Sequence, residues 1–319
     1  MKMKRSRGLE ITVAYLIDAL LGDPENYPHP VRLMGRSIEY LQARLKPEQR
    51  DEAGAIYAGG LLAGTVVFGT YAIARLLVAV APGVGDTVLL YTAIARKDLE
   101  ESALRVAVAL EEGDLAAARE GLKALAGRDA QGLDKNAICR AAVESVAENF
   151  VDGVLAPMIW GAIGGAPGAM AFKAVSTLDS MVGHSDQAYL LLGKCSARLD
   201  DLAVFPLARA SLPVIAAAAA IAGFDSAAAL KIGLRDRMNH PSPNSAHAEA
   251  CFAGALGLKL GGPSSYGGKG RDLPEMGEGT QEAEPQHIRQ AVKLLNVASS
   301  LGLALAVALA SRERKRRWK

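Results

Sequence analysis

Two long apolar segments constrain the fold of this chain more than any other feature. Residues 53–81 and 202–224 are each long enough to cross the ~30 Å apolar core of a bilayer as a helix. Half of the residues are hydrophobic and the mean hydropathy is +0.14, whereas aromatic residues make up only 5%. Small and aliphatic side chains therefore carry the apolar surface, as is usual where helices pack closely in lipid. We expect a helical protein embedded in a membrane.

Four further apolar segments complete the pattern. Residues 294–310 are borderline in length, but the basic residues that follow favour insertion. Residues 154–172 are broken by two prolines and several glycines, which predicts a kinked or re-entrant helix packed inside the protein. Residues 9–21 and 84–95 are too short to cross comfortably.

The remaining segments read as polar helices and loops. Residues 97–125 have a helical pattern with a break at Gly113 and Asp114, and Asp134 is a plausible N-cap for the next helix. Residues 259–286 are rich in Gly, Pro and Glu and predict a loop, and no β-strand is expected. We predict an all-α, polytopic membrane protein in which residues 1–319 form one domain of short and broken helices around a polar cavity.

Charge and cysteine content exclude several classes of protein. The formal net charge is only +2, and the positive charge is concentrated at the ends: four Lys or Arg in residues 1–7 and six in residues 311–319. Such ends predict a cytoplasmic location by the positive-inside rule, and nucleic acid is not an expected partner. The three cysteines are far apart, so neither a disulfide framework nor a zinc site is predicted.

A stripe of charged residues leads directly into the broken apolar segment. Arg140, Glu144, Glu148 and Asp152 recur every four residues, which places them on one face of a helix. Three carboxylates held close together repel one another unless a cation neutralises them, and oxygen-rich clusters suit Mg²⁺. The alternative is an ordinary solvated helix face, but the apolar continuation favours a functional one.

Two proline-framed loops and a third polar cluster carry further candidate residues. The loops hold Asp23, His29 and Arg32, and then His240, Ser242 and Asn244; the cluster holds Lys173, Asp179, Arg198, Asp200 and Asp201. Proline restricts its own φ and its neighbour, so such loops can hold polar groups in fixed positions. The alternatives are ordinary helix connections for the loops and a simple ion pair between Arg198 and Asp201.

A Gly-rich segment, residues 261–269, falls short of a phosphate-binding loop. It lacks the hydroxyl residue after the lysine, and no strand is expected to lead into it. Its backbone amides could still bind a phosphate oxyanion.

These motifs resemble the adenosylcobinamide-phosphate synthase family of cobalamin biosynthesis. Six blocks occur in the family order: GDPENYPHPVRLMGR, GRDAQGLD, AAVESVAENFVDGVLAPMIWGAIGGAPGAMAFKAVSTLDSMVGH, SARLDDL, HPSPNSAHAEACFAGALG and LGGPSSYGG. Three places depart from the family pattern: Phe150 replaces a common Thr, His184 replaces an aromatic hydroxyl residue, and Ala246-His247 replaces Gly-Trp.

The resemblance implies a multi-pass enzyme of the cytoplasmic (inner) membrane whose active site faces the cytoplasm. The implied reaction is a carbon–nitrogen (acid–amine) ligation that uses ATP and Mg²⁺. It joins (R)-1-amino-2-propanol, or its O-phosphate, to the free propionate of adenosylcobyric acid and gives adenosylcobinamide or its phosphate. The implied partners are these substrates and the lipid bilayer, and small-residue helix faces are compatible with a homo-oligomer.

Side-chain chemistry at the motif positions assigns roles to individual residues. Catalytic roles are predicted for His29 and His240 as bases and for Lys173 and Arg198 as cationic groups. Metal binding is predicted for Glu144, Glu148, Asp152, Asp200 and Asp201. Binding of substrate or phosphate is predicted for Asp23, Arg32, Asn149, Asp179, Ser242, Asn244 and Tyr266.

Two other functions stay open at the level of sequence. A secondary transporter also has broken helices and intramembrane acids, but it should display inverted repeats, and none is evident. A non-catalytic membrane sensor of the same fold should lack several of the His, Arg and acidic motif positions, and this chain retains them.

Overall fold

The computed structural model describes residues 6–23, 29–45, 51–126, 130–183, 190–266, 269–280 and 282–316. Over these residues the chain is almost entirely helical, with one two-stranded sheet. The elements are α1 (Arg7–Leu21), α2 (Pro30–Leu45), α3 (Glu52–Val80), α4 (Val84–Ala93), α5 (Arg96–Glu111), α6 (Leu115–Ala126), α7 (Lys135–Asn149), a π-helical turn (Phe150–Leu155), α8 (Ala156–Val182), α9 (Lys194–Ala222), α10 (Ser226–Asp236), α11 (Ser245–Leu256), β1 (Leu260–Tyr266), β2 (Lys269–Met276) and α12 (Pro285–Arg316).

Four helical segments among the described residues are long and apolar enough to cross a membrane. They are Glu52–Val80, Lys135–Val182, Lys194–Ala222 and Pro285–Arg312, and they cover most of the four longest apolar segments of the sequence. Only 22% of the apolar window of Glu52–Val80 is buried inside the protein, against 72% for Lys135–Val182. The protein is therefore a polytopic helical membrane protein, as predicted, with the broken apolar segment packed inside.

The chain folds into two compact units, each built from separate stretches of sequence. The first unit comprises Met1–Ala95, Ala156–Val204 and Leu303–Lys319. The second comprises Arg96–Leu155 and Phe205–Gly302. The residues predicted to carry function are divided between the two units.

In the first unit, α8 is broken at Gly165, as the glycines and prolines predicted. The backbone of Gly165 has φ 70° and ψ −172°, and Pro167 follows within the same helix. A break of this kind frees backbone carbonyls that need other donors. The guanidinium of Arg7, in the first turn of α1, donates to the carbonyl of Ile163 at 2.9 Å and to that of Ala162 at 3.4 Å.

In the second unit, α7 begins and ends with distinct local structures. The Asp134 carboxylate accepts a hydrogen bond from the amide of Ala137 at 2.8 Å, which confirms the predicted N-cap. After Asn149 the backbone widens into the π-helical turn, in which Phe150 is fully buried. The extra residue in a π turn changes the helical phase, so Asp152 does not continue the four-residue stripe of α7 in regular α-helical register.

The predicted break between α5 and α6 is confirmed. Gly113 has φ 79°, and the Asp114 carboxylate caps α6 by accepting from the amide of Ala117 at 2.9 Å.

The pair of helices α10 and α11 packs at very short range in the second unit. A Cβ added at Gly233 would overlap the sulfur of Cys251, and one added at Gly254 would overlap the carbonyl oxygen of Ala228. Both glycines are therefore required by the close approach of the two helices.

The predicted absence of β-strands is wrong. Most of the segment that was predicted to be a loop, residues 259–286, forms an antiparallel hairpin in which Gly262 pairs with Leu273. A bulge interrupts the register between Leu260 and Gly262, where Gly261 and Gly262 have φ of 84° and 82°. The strands lack a regular alternation of apolar and polar residues, so periodicity does not reveal them.

Candidate functional site

The acidic stripe of α7 forms the centre of a polar cluster in the second unit. Glu144 is only 4% exposed, and its Oε1 accepts a hydrogen bond from the amide of Gly261 at 2.7 Å. Glu148 is half-buried, and its Oε1 accepts from the hydroxyl of Ser245 at 2.7 Å. Two carboxylates one turn apart thus bind the beginning of β1 and the beginning of α11. This face of α7 is not a solvated helix surface.

The rest of the stripe divides into different roles. Arg140 donates to the side-chain oxygen of Asn136 at 3.3 Å, and that same oxygen accepts from the amide of Ala283 at 2.7 Å. Asn149 is half-buried and donates to the carbonyl of Ser145 at 2.9 Å. The Arg140 end of the stripe therefore joins α7 to the segment before α12.

The loop before α11 is held by a short chain of hydrogen bonds. His240 Nδ1 accepts from the amide of Ser242 at 3.0 Å, and the Ser242 hydroxyl accepts from the amide of Asn244 at 3.3 Å. Asn244 is 6% exposed and directly precedes Ser245, the partner of Glu148. The loop thus brings predicted residues of the second proline-framed motif close to the predicted metal ligands of α7.

Arg209 joins this cluster, although sequence reasoning did not select it. Its Nη1 donates to the carbonyl of Phe205 at 2.8 Å and lies 3.4 Å from the Asn244 side-chain oxygen. The guanidinium carbon lies 3.3 Å from the centre of the Phe205 ring. The available signal was an arginine inside the apolar segment 202–224, because an ionisable residue in a membrane segment is a functional candidate by default.

His247 is the second residue that sequence reasoning did not assign to the site. Its side chain is fully buried, and neither ring nitrogen has a hydrogen-bond partner within the part of the chain that the structure describes. Burial, together with the nearby positive charges of Arg209 and Arg237, lowers the pKa of His247 to about 4. Because of this lowered pKa, the imidazole is neutral near pH 7. The sequence marked this position only as a departure from the family pattern.

Both proline-framed loops contain the same His-Pro-X turn. In the first unit, His29 Nδ1 accepts from the amide of Val31 at 3.3 Å, just as His240 Nδ1 accepts from Ser242 in the second. An acceptor at Nδ1 means that the neutral ring carries its proton on Nε2. His29 Nε2 lies 3.5 Å from the Asp23 carboxylate. In this conformation each histidine is arranged to donate from Nε2, and the predicted role of general base stays a prediction.

The other predicted residues of the first unit lie at several places. Arg32 is exposed on α2, whereas Lys173 and Asp179 are half-buried on α8. Arg198 is largely exposed and lies 3.9 Å from Asp201, one turn along α9. That contact matches the simple ion pair considered as the alternative reading of this cluster.

Part of the Gly-rich segment makes backbone contacts within the fold. The amide of Gly261 is bonded to Glu144, and Tyr266 pairs with Lys269 at the end of the hairpin. The side chain of Tyr266 lies outside the described part of the structure, as do residues 127–129 and His184. The predicted roles of these positions stay predictions.

Side chains that hold a metal ion must converge on one point. Among the described residues no three His, Cys, Asp or Glu side chains are close enough to hold a metal ion. Glu144, Glu148 and Asp152 belong to the second unit, and Asp200 and Asp201 belong to the first. Mg²⁺ is commonly held by one or two carboxylates together with substrate phosphates and water. The neighbouring carboxylates of α7 fit that mode of binding.

Comparison with known proteins places the chain in a family. The family model described as CobD/Cbib protein matches residues 11–295. The chain is 42% identical over 302 residues to the cobalamin biosynthesis protein CobD of Klebsiella pneumoniae, covering 92% of this chain and 95% of the relative. It is 41% identical to the cobalamin biosynthesis protein CbiB of Salmonella typhimurium, covering 93% of this chain and 95% of the relative. The solved structures yield no match. With the family model covering most of its length, the chain belongs to the CobD/Cbib family.

Proposed function

We propose that this protein acts in cobalamin biosynthesis as an ATP- and Mg²⁺-dependent amide ligase. It joins (R)-1-amino-2-propanol, or its O-phosphate, to the free propionate of adenosylcobyric acid and gives adenosylcobinamide or its phosphate. The observation that carries this proposal is similarity along more than nine-tenths of the chain to relatives named as cobalamin biosynthesis proteins. The polar cluster of α7, the His240 loop and Arg209 supplies side chains suited to the reaction.

The chemistry requires a group that stabilises negative charge. A carboxylate does not react with an amine until it is activated, and activation through a phosphate develops charge on oxygen. Arg209 suits this task because its guanidinium is fixed against the Phe205 ring and beside Asn244. An arginine held in this way loses little further side-chain freedom when it binds an anion.

The carboxylates of α7 provide the negative charge that a bound metal ion requires. Glu144 and Glu148 are the residues that would hold Mg²⁺, which when bound neutralises the phosphates of ATP. The hydroxyl of Ser245 orients Glu148 through a hydrogen bond of 2.7 Å. The His240-Pro turn directs an Nε2 proton, which can bind a phosphate or carboxylate oxygen of the substrate.

A direct assay tests the proposal. The protein, purified in detergent, is supplied with adenosylcobyric acid, an aminopropanol donor and Mg-ATP, and mass spectrometry detects the amide. We expect Glu148→Gln to lower kcat by about 100-fold or more, because it removes a charge at the site. Glu112→Gln is the matched control, since Glu112 is exposed and distant in sequence from the cluster.

One outcome would overturn the proposal, and another would overturn the assignment of the α7 cluster to it. Wild-type protein that forms no amide with either donor would exclude the ligase and would favour a sensor if the corrinoid still binds. Product that forms at the same rate with Glu148→Gln would remove the α7 cluster from the reaction.

A further inference from the structure

An apolar groove runs between α2 and α3 in the first unit. One wall is a row of α2 side chains that includes Leu33, Ser37 and Leu41, and the other is a row of α3 residues that includes Val66, Gly69 and Ile73. The volume of the groove is about 590 Å³. Such a volume is within the range of about 300–1,000 Å³ that is typical of ligand sites.

The floor of the groove is well packed, so the cavity is a property of the fold and not a loose loop. Leu89 of α4 is 6% exposed and Met170 of α8 is 2% exposed, and both line the groove. Most of the lining residues are apolar, and the polar ones are Arg36, Ser37, Tyr40, Thr65 and Thr70. An apolar cavity of this kind favours an apolar occupant over water.

The α3 wall of the groove belongs to a helix that is exposed where a membrane-spanning helix contacts lipid. α3 is a candidate membrane span of which most of the apolar window is outside the protein core. Ile73, which lines the groove, is 61% exposed, and Phe68 on the same helix is 74% exposed. In a bilayer these side chains contact acyl chains, and the groove opens beside them.

The α2 edge of the groove carries a basic ridge. Arg32, Arg36, Tyr40 and Arg44 recur every four residues and therefore lie on one side of α2. Arg36 and Tyr40 also line the groove, and the Arg44 guanidinium lies 4.9 Å from the centre of the Tyr40 ring. α2 holds three arginines against the single carboxylate of Glu39. An amphipathic helix with a basic face binds at the surface of an anionic membrane.

We infer that this groove binds an anionic glycerophospholipid, with an acyl chain between α2 and α3 and the phosphate on the basic ridge. One such molecule satisfies both the apolar lining and the adjacent positive charge. A second copy of this chain suits the groove less well. In a symmetric contact the same patch meets itself, which would bring the arginines of α2 close to those of the partner.

Two glycines of α3 allow a sharp test of the acyl site. A side chain added at Gly64 or at Gly69 would meet no atom within 4 Å of its Cβ, but only Gly69 lines the groove. Gly69→Phe therefore fills the groove, and Gly64→Phe is the matched control. Each protein is extracted from membranes in mild detergent, checked for an unchanged thermal unfolding temperature, and analysed for bound phospholipid by native mass spectrometry.

We expect wild type and Gly64→Phe to retain phospholipid and Gly69→Phe to lose it. Equal retention by Gly69→Phe, or a wild-type protein that carries no phospholipid after reconstitution in phosphatidylglycerol, would overturn the inference. A change in oligomeric mass for Gly69→Phe with lipid retained would show that a protein surface covers the groove, and would overturn it as well.

The basic ridge has its own test. Wild type and the Arg36→Gln, Arg44→Gln double variant are placed in nanodiscs of mixed phosphatidylglycerol and phosphatidylcholine. We expect wild type to retain phosphatidylglycerol preferentially and the double variant to lose that preference. Identical selectivity in the two proteins would contradict the assignment of the phosphate to the ridge. None of these measurements depends on the ligase reaction.

Discussion

At the scale of single residues, His247 makes stability depend on pH. Its pKa is about 4 in the folded protein, whereas a free histidine has a pKa of about 6.5. Between these values the unfolded chain binds a proton that the folded protein does not bind, so folding loses stability as the pH falls. Above about pH 6.5 both states are neutral at this residue and it adds no pH dependence.

We expect the unfolding temperature of the wild type to fall more steeply between about pH 6.5 and 4 than that of His247→Leu. Differential scanning fluorimetry in detergent across this interval compares the two proteins. The difference between them isolates His247 from other groups that titrate in the same interval. Parallel curves would show that the imidazole is hydrated or paired when folded.

Glu144 should combine a structural contact with a functional charge, and two substitutions separate them. Glu144→Leu leaves the amide of Gly261 without its acceptor, and we expect a loss of about 1–3 kcal/mol in the free energy of unfolding. Glu144→Gln keeps an acceptor oxygen and should lose much less. Denaturant unfolding monitored by tryptophan fluorescence measures both variants.

The ligase assay then completes the comparison at Glu144. If this carboxylate holds a metal, Glu144→Gln should remain folded but lose activity. Full activity in Glu144→Gln would restrict the residue to anchoring the hairpin.

At the scale of elements, the break in α8 depends on one side chain from another helix. Arg7 donates to two carbonyls beside the break at Gly165, and removing it leaves them without this donor. We expect Arg7→Met to lower the free energy of unfolding by about 1–3 kcal/mol. Arg312→Met, at an exposed position of α12, is the control and should change it little. Equal effects of the two substitutions would mean that Arg7 acts only through its charge.

The elements that sequence reasoning located are those with strong local signals. The apolar runs indicated α3, α9 and α12, and the prolines and glycines after Val154 indicated the break in α8. The hairpin was missed because its strands lack a regular alternation, a bulge interrupts their register, and one end is fixed by a hydrogen bond from Gly261 to the distant Glu144. The π-helical turn was also unforeseen, because the four-residue spacing from Glu148 to Asp152 continues across it in the sequence.

The candidate site was predictable only in part for a similar reason. Glu148 and Asn244 were selected from their own motifs, but their proximity depends on Ser245 binding Glu148 across 97 residues of sequence. Arg209 and His247 belong to the site through tertiary contacts and burial, which a spacing rule does not contain. Motif reasoning identifies the residue types, and packing decides which of them meet.

At the scale of the whole molecule, the proposed use of ATP requires that the polar motifs be reached from the cytoplasm. We expect single cysteines at positions 23, 148 and 242 to react with a membrane-impermeant maleimide from the cytoplasmic side. Pro82→Cys, in the exposed turn after α3, is the control and should react from the opposite side if α3 crosses the bilayer. Inside-out and right-side-out vesicles distinguish the two. Labelling of position 23 or position 148 from the opposite side would contradict access to these motifs from the cytoplasm.

The native cysteines determine the background labelling in that experiment. Cys139 and Cys251 are buried, and burial raises the pKa of Cys251 to about 12, so its thiolate is scarcely formed near neutral pH. Cys195 is half-buried and is the native thiol most open to reagent among the three. Cys195→Ser should therefore remove most of the background labelling.

The close packing of α10 against α11 has a consequence for how the sequence can evolve. Because a methyl group at Gly233 would occupy the volume of the Cys251 sulfur, Gly233 cannot gain a side chain while Cys251 is unchanged. Replacing Cys251 by alanine first would open room for Gly233→Ala, whereas the reverse order passes through a strained intermediate. Substitutions at these two positions should therefore be correlated during evolution, with the replacement of Cys251 by alanine occurring before Gly233→Ala.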